Sequence, residues 1–348
     1  PLLAKKDDGM RLVDAVLDLP TEYRGWDAAD EDVSHAMADT IPKRIGLVDV
    51  KRLESATAHI RRWDKDQGSG SASVLALGLV QSVVSWRHAS STEDTRRRWC
   101  TAVSDLMGVA AFILYDSARH RAARQLWITA VELSQEAESY DLTSRLLRGL
   151  THQSLYRNRL QEATQTVRLA ELIASQKPVS RKTALMVTLY QAWICGKLGD
   201  RKKTERALTA AERTRNSAAT EDDRPWLRDI DEGTVNGLEG LCYQALAVQD
   251  SKSLDTAESL LMSAELRLDH TMKRRRTFNR LALATVSFTV GDIDAGLTHA
   301  DHGLQGISAV ETQRAAPQLR DLYRAMVRHR SSSAVRYRLE TLSATLAQ

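Results

Sequence analysis

The sequence predicts an all-α fold, a right-handed α-solenoid assembled from degenerate helical hairpins. The first observation behind this is a recurring triplet of small, bulky apolar and small residues at offsets of four and three. It occurs as Ala123/Trp127/Ala130, Ala163/Val167/Ala170, Thr204/Leu208/Ala211 and Ala257/Leu261/Ala264. These offsets put the three residues on one helical face, where the small ones admit a neighbouring helix and the bulky one fills the gap. The second observation is what precedes each block. Twelve residues upstream lies another small residue (Ala111, Thr151, Ala192, Ala245), and five upstream lie Ala118, Asn158, Gly199 and Lys252. Asn and Gly favour turns, so helix, turn and helix repeat, as in arrays that bind along a groove. The third is composition: 5% aromatic residues, 6 Pro, and no extended run of alternating β-branched residues.

Taken in order, residues 1–46 read as a helical lead-in or remnant of a linker. Met10 to Leu19 is amphipathic and stops at Pro20, Trp26 sits in a charged turn, and Asp30 to Ile41 ends at Pro42. Residues 47–103 read as N-terminal helices packing on the array. Asp49 to Trp63 carries Val50, Leu53, Ala56 and Ile60 on one face, with Asp49 as its N-cap. Gly68 to Ser73 reads as a loop, Val74 to His88 as a helix, and Ser90 to Glu93 as a loop and cap opening a long helix that contains Trp99, Val103 and Leu106.

The tetratricopeptide-like repeats occupy 104–310. First members of the triplets are spaced 40, 41 and 53 residues apart, longer than the ~34 of a standard tetratricopeptide unit. The longest interval holds a polar, acidic insertion from Ser217 to Pro225, followed by Trp226. A fifth unit, Thr277 to Leu304, turns at Gly291-Asp292. Its register is open between Ala295/His299/His302 and Gly296/Ala300/Gly303. Residues 311–348 read as C-terminal capping helices with Arg320, Arg324, Arg328 and Arg330 outside.

Composition narrows the function. Forty-nine basic residues against 45 acidic ones give a net charge of +4, a small excess for a dedicated nucleic-acid binder. The runs Arg96–Arg98, Arg201–Lys203 and Lys273–Arg276 read as solvated surface, with no aromatics interleaved. Cys100, Cys195 and Cys242 are far apart and lack ligand spacing, which predicts no metal and a reducing, cytoplasmic setting. The longest mostly apolar run, Val74 to Val84, is too short to span a bilayer, so no membrane is expected.

No catalytic motif emerges, and neither enzymatic activity nor a cofactor is expected. Gly68-x-Gly70 lacks the strand and helix of a dinucleotide fingerprint. Gly233, Gly237 and Gly240 fall on one helix and read as close packing. Glu221–Asp223 and Asp229-x-Asp231-Glu232 lack calcium-loop spacing and read as loop and helix-start acids.

The groove is where binding chemistry is expected, because the first helix of each hairpin lines the concave side. Alignment on the small residues places Asp105, Gly108, Phe112, Tyr115 and Asp116 inward in the first unit. Arg145, Arg148, His152, Leu155 and Tyr156 follow in the second, and Met186, Leu189, Trp193, Gly196 and Lys197 in the third. Two Arg, a His and a Tyr on one face suit a carboxylate, a phosphate or a peptide terminus. The ligand-binding set is therefore Arg145, Arg148, His152, Tyr156, Phe112, Asp116, Met186, Trp193 and Lys197. Phe112 and Trp193 also read as inter-repeat core, and either Arg also reads as paired internally with Asp105 or Asp116. The partner is a peptide or small acidic ligand in the groove, or a protein; the alternative function is a protein–protein interaction adaptor without a small ligand or a transcriptional role. A homodimer through terminal helices is also expected.

Several strings carry a family likeness. Arg44-Ile-Gly46 through Asp49-Val-Lys-Arg-Leu53, then Arg61-Arg62-x-Asp64, resembles the opening of the sensor region in actinobacterial-type helix-turn-helix transcriptional regulators. Ala111-x-x-x-Tyr115-Asp116-x-x-Arg119-His120-x-x-Ala123-Arg124 is similar to that family's first repeat. Pro225-Trp226-Leu227, then Asp231-Glu232 and Gly240, resembles its segment after the acidic loop. The likeness covers about residues 44–310 and implies a tetratricopeptide sensor domain behind a DNA-binding domain. Residues 1–46 hold no credible helix-turn-helix, so DNA contact is expected only through a domain not seen in this chain. A looser likeness to peptide-pheromone receptors implies a signalling ligand in the groove.

Overall fold

The computed structural model describes residues 42–217, 224–247, 252–310 and 312–347. These residues form fourteen α-helices and no strand. The helices are α1 (Leu47–Gln67), α2 (Ser69–Ser85), α3 (Glu93–Asp116), α4 (His120–Glu136), α5 (Tyr140–Tyr156), α6 (Leu160–Gln176) and α7 (Arg181–Lys197). They continue with α8 (Arg201–Asn216), α9 (Glu232–Leu246), α10 (Lys252–Arg267), α11 (Lys273–Val290), α12 (Ile293–Val310), α13 (Ala316–Val327) and α14 (Ser333–Ala347). The chain is all-α, as its composition predicts. The predicted helices of residues 1–41 and the acidic stretch 218–223 lie outside the described residues.

Helices α3 to α12 pack as five consecutive pairs, α3 with α4 through α11 with α12. The first members also pack on one another in sequence, from α3 through α5, α7, α9 and α11 to α13. The turn inside a pair explains the five-residue offset. Ala118, Asn158, Gly199 and Gly291 all take left-handed backbone (φ 57, 56, 73 and 95). The next residue's N–H then donates to a carbonyl five residues back: Arg119 to Leu114, Arg159 to Ser154, Asp200 to Cys195 and Asp292 to Ser287, at 2.8–2.9 Å. This is the helix-ending motif in which a left-handed residue lets the chain satisfy the last carbonyls. Ala118 holds it without the conformational freedom of glycine, so the turn there is enforced by packing. Lys252 breaks the series, because it is the first residue of α10.

Each triplet is buried at all three positions. In the fifth pair the packed set is Gly296/Ala300/Gly303. A Cβ on Gly296 would lie 2.9 Å from Phe288, and one on Gly303 2.7 Å from Leu281. The bulky group comes from the partner helix, which is why the triplet lacks one.

Three local expectations are corrected. Gly68–Ser73 is not a loop: only Gly68 breaks the chain, with φ 85, and α2 starts at Ser69. Its small residues Ser69, Ala72, Ser73 and Ala76 are buried, so they bring α2 close to its neighbours. Asp49 is not the N-cap of α1. It sits three residues into the motif and accepts from Gly46 N at 2.9 Å. The boundary drawn at 103/104 falls inside α3, which runs unbroken from the N-terminal helices into the first pair. Helix α3 is also long and apolar enough to cross a membrane, but 83% of its apolar window is buried within the chain.

The N-terminal helices meet the far end of the array. Lys65 on α1 reaches Asp229 before α9 at 2.5 Å, and Arg274 on α11 reaches Asp64 on α1 at 2.9 Å. Ser90 and residues 43–45 pair by backbone bonds of 2.9 and 3.0 Å. Gly233 fits the helix-packing reading of the α9 glycines, since a Cβ there would lie 2.8 Å from Leu268 N and 3.0 Å from the carbonyl carbon of Arg267. Backbone cannot yield as a side chain can. Gly233→Ala is therefore expected to lower stability by about 1–3 kcal/mol, measured by urea denaturation.

Candidate binding cavity

The inner helices enclose a cavity of about 1350 Å³. Eight of the nine predicted residues line it: Arg145, Arg148, His152, Tyr156, Phe112, Met186, Trp193 and Lys197. The four on α5 are spaced three or four apart, so helical periodicity aims them at one space. Arg and Lys greatly outnumber acids on the wall, where the acids are Asp64, Asp229 and Asp321. Each of these is already paired, with Arg274, Lys65 and Arg324 respectively.

Asp116 is the correction. It ends α3, is 1% exposed, and does not line the cavity. Its carboxylate lies 2.6 Å from Arg274 Nε and 2.7 Å from Arg314 Nε, and Ser69 Oγ is 3.1 Å away. Arg274 also binds both oxygens of Asp64 at 2.9 and 3.0 Å. Arg314 lies over the rings of Phe278, Tyr115 and Tyr156, at 4.6, 5.2 and 5.9 Å from their centroids. Burial opposes the charge of both guanidiniums, but the pKa of each is raised, with Asp116 foremost among the groups that outweigh it. Asp116 therefore joins three elements and has no spare capacity for a ligand.

Arg145 is also largely structural. It lies 3.9 Å from Asp105, whose carboxylate Arg61 takes at 2.6 Å. Burial, then the neighbouring Arg61, pushes the Arg145 pKa down to about 10. Arg148 differs. Among the described residues no carboxylate pairs with it, and its guanidinium lies over the Tyr190 ring, 5.7 Å from the centroid. The alternative of an internal pair with Asp105 or Asp116 therefore holds for Arg145 and not for Arg148.

The apolar wall doubles as core. Phe112 stands edge-on to Trp127, with centroids 5.4 Å apart, and Tyr156 edge-on to Trp193 at 5.9 Å. His152 sits among them, 4.4 Å from Tyr156 and 6.0 Å from Tyr190. Its Nδ1 and the hydroxyl of Tyr115 are buried and make no hydrogen bond among the described residues. Burial raises Tyr115 well above its ordinary pKa and Tyr156 to about 12, so both remain protonated donors.

Sequence reasoning missed Arg275, Arg314 and Tyr190. Arg275 lies in a run read as solvated surface. Lys273 is exposed there, but Arg274, Arg275 and Arg276 turn inward because they begin an inner helix. Arg275 donates to the carbonyl of Asp229 at 2.8 Å and to the Thr234 hydroxyl. The runs Arg96–Arg98 and Arg201–Lys203 are exposed as expected. Arg320, Arg324 and Arg328 are exposed, yet they also line the cavity from α13, so the C-terminal pair contributes wall as well as cap. Trp226, after the acidic stretch, lines it too, and the neighbouring Arg224 pairs with buried Asp141. Among the described residues there is no cluster of His, Cys, Asp and Glu that would hold a metal.

No protein-family model matches this chain, and no curated protein matches it.

Two outcomes follow from this geometry. Asp116→Asn leaves two buried guanidiniums short of a counter-charge and is expected to cost about 3–5 kcal/mol, read as a lowered urea midpoint. Burial, reinforced by Arg314, Arg148 and Arg275, holds His152 well below its ordinary pKa. The unfolded chain takes up this proton near pH 6.5 and the folded chain does not. Stability from the neutral imidazole is thus full above that pH and falls below it, by up to about 1.4 kcal/mol per pH unit. His152→Gln is expected to make the acid limb of stability against pH shallower.

Proposed function

We propose that this chain is the sensing domain of a bacterial transcriptional regulator, a right-handed solenoid of tetratricopeptide-like hairpins that binds an anionic small molecule or acidic peptide in its interior. The observation that carries this reading is the charge of the cavity wall. Among the described residues its acids are all paired, and Arg148 faces the space with no carboxylate of its own. Arg148 is half-buried, a partly desolvated cation is costly to keep without a counter-charge, and an anionic ligand would offset that cost. The apolar surfaces of Met186 and Trp193 beside it suit the uncharged part of such a ligand.

Sensing, and not catalysis, is the reading because, among the described residues, the wall offers binding groups without a nucleophile held by a base. The ligand would act by shifting populations of the array, read out by a DNA-binding domain outside this chain in the cytoplasm. The transcriptional part is supported by the sequence resemblance to helix-turn-helix regulators.

The experiment is a thermal-shift screen of anionic metabolites and acidic peptides. A ligand of the native state raises the melting temperature by mass action. Arg148→Glu is expected to abolish the shift while leaving the unliganded melting temperature unchanged or raised, because it relieves repulsion among like charges. A screen in which every shift survives Arg148→Glu contradicts the proposal.

A further inference from the structure

Two cations in the cavity, Arg148 and Arg275, come from helices far apart in the sequence. Neither has a carboxylate partner among the described residues. Arg148 extends from α5 over Tyr190. Arg275 starts from the first turn of α11 and is held by neutral acceptors, the Asp229 carbonyl and the Thr234 hydroxyl. Arg314, the third guanidinium near them, already has Asp116 at 2.7 Å. We infer that Arg148 and Arg275 together clamp the phosphoryl group of a small organic phosphate monoester, which thereby bridges α5 to α11. This inference rests on the anion-sensing reading above and names its ligand class.

Charge matching selects the phosphoryl group. Among the described residues neither Arg148 nor Arg275 has a salt-bridged carboxylate, which leaves positive charge for a ligand to meet, and a phosphate monoester carries about −1.5 to −2 at neutral pH. A single carboxylate would leave one guanidinium uncompensated. The donors also match. A phosphoryl group presents three acceptor oxygens, and Arg offers forked donors suited to them. The Tyr115 hydroxyl and His152 Nδ1, both buried and without a hydrogen bond, stand on the same wall. Burial lowers the pKa of Arg275; the carboxylates of Asp229 and Asp231 oppose this and Arg148 adds to it, so each guanidinium lies within the field of the other. An ester, and not free phosphate, suits the apolar lining of Met186, Trp193, Leu241 and Phe278.

Isothermal titration of the whole chain with phenyl phosphate, inorganic phosphate and benzoate tests this. Phenyl phosphate is expected to bind tightest. Arg148→Gln and Arg275→Gln are each expected to weaken it by about tenfold or more, as loss of a charge-assisted bond does. Should Arg275→Gln fail to fold, Arg275→Lys keeps the charge but loses the fork and is expected to weaken phenyl phosphate while leaving benzoate nearly unchanged. Benzoate binding as tightly as phenyl phosphate, and losing affinity in Arg148→Gln alone, overturns the phosphoryl clamp but leaves the anion-sensing reading standing. Equal affinity for inorganic phosphate and phenyl phosphate overturns the ester assignment. No saturable binding of any of the three at millimolar concentration overturns the clamp, while the wider anion screen judges the reading beneath it.

Discussion

One buried carboxylate joins the two ends of this molecule. Asp116 closes α3, and around it meet Ser69 at the start of α2, Arg274 at the start of α11 and Arg314 before α13. Burying a charge demands partners, and here the partners come from segments some fifty to two hundred residues away in the chain. Asp64 shares Arg274, so α1 enters the same cluster. The aromatic rings of Phe278, Tyr115 and Tyr156 around Arg314 link the cluster to the cavity wall. Without it, the start of α2 and the segment before α13 lose the polar contacts that tie them to α3, while α1 keeps Arg61 on Asp105.

That arrangement gives the cavity its character. Helices α1, α3, α5, α7, α9, α11 and α13 supply its wall, and the inward residues of α3, α5, α7 and α11 include many Arg and aromatics. The acids that enter the region are used up: Asp116 on Arg274 and Arg314, Asp105 on Arg61, Asp229 on Lys65. Among the described residues, Arg148 and Arg275 are left facing the space without an ion pair of their own. The proposed role in sensing an anion follows from this imbalance more than from any single residue.

The pairs were legible in the sequence because two local rules mark them. Small residues at offsets of four and three write the close approach of helices, and the left-handed turn writes the five-residue offset. Thus Ala163, Val167 and Ala170 announced their burial, and Asn158 its turn. The face of α5 was legible for the same reason, since Arg145, Arg148, His152 and Tyr156 follow helical spacing. The role of Asp116 was not legible. Its spacing marks it as inward, but inward toward ligand and inward toward Arg314 look alike in one dimension. Arg314 lies outside any repeat, so no periodicity points to it. Arg274 and Arg275 sit in a run whose composition reads as surface. They turn inward because they begin an inner helix, where Asp64 of α1 meets Arg274 and the start of α9 meets Arg275. Gly68–Ser73 misled because Gly and Ser signal both loops and tight helix contacts.

The closure by Asp116 is the central claim, and native-state hydrogen exchange on Asp116→Ala tests it most directly. The account predicts faster exchange, together, at amides near Ser69–Ala72 and Arg314–Leu319, with helices α6 and α8 keeping their protection. These two segments are distant in sequence and both bind this carboxylate. Unchanged exchange at both, or an increase spread evenly over the chain, would contradict it.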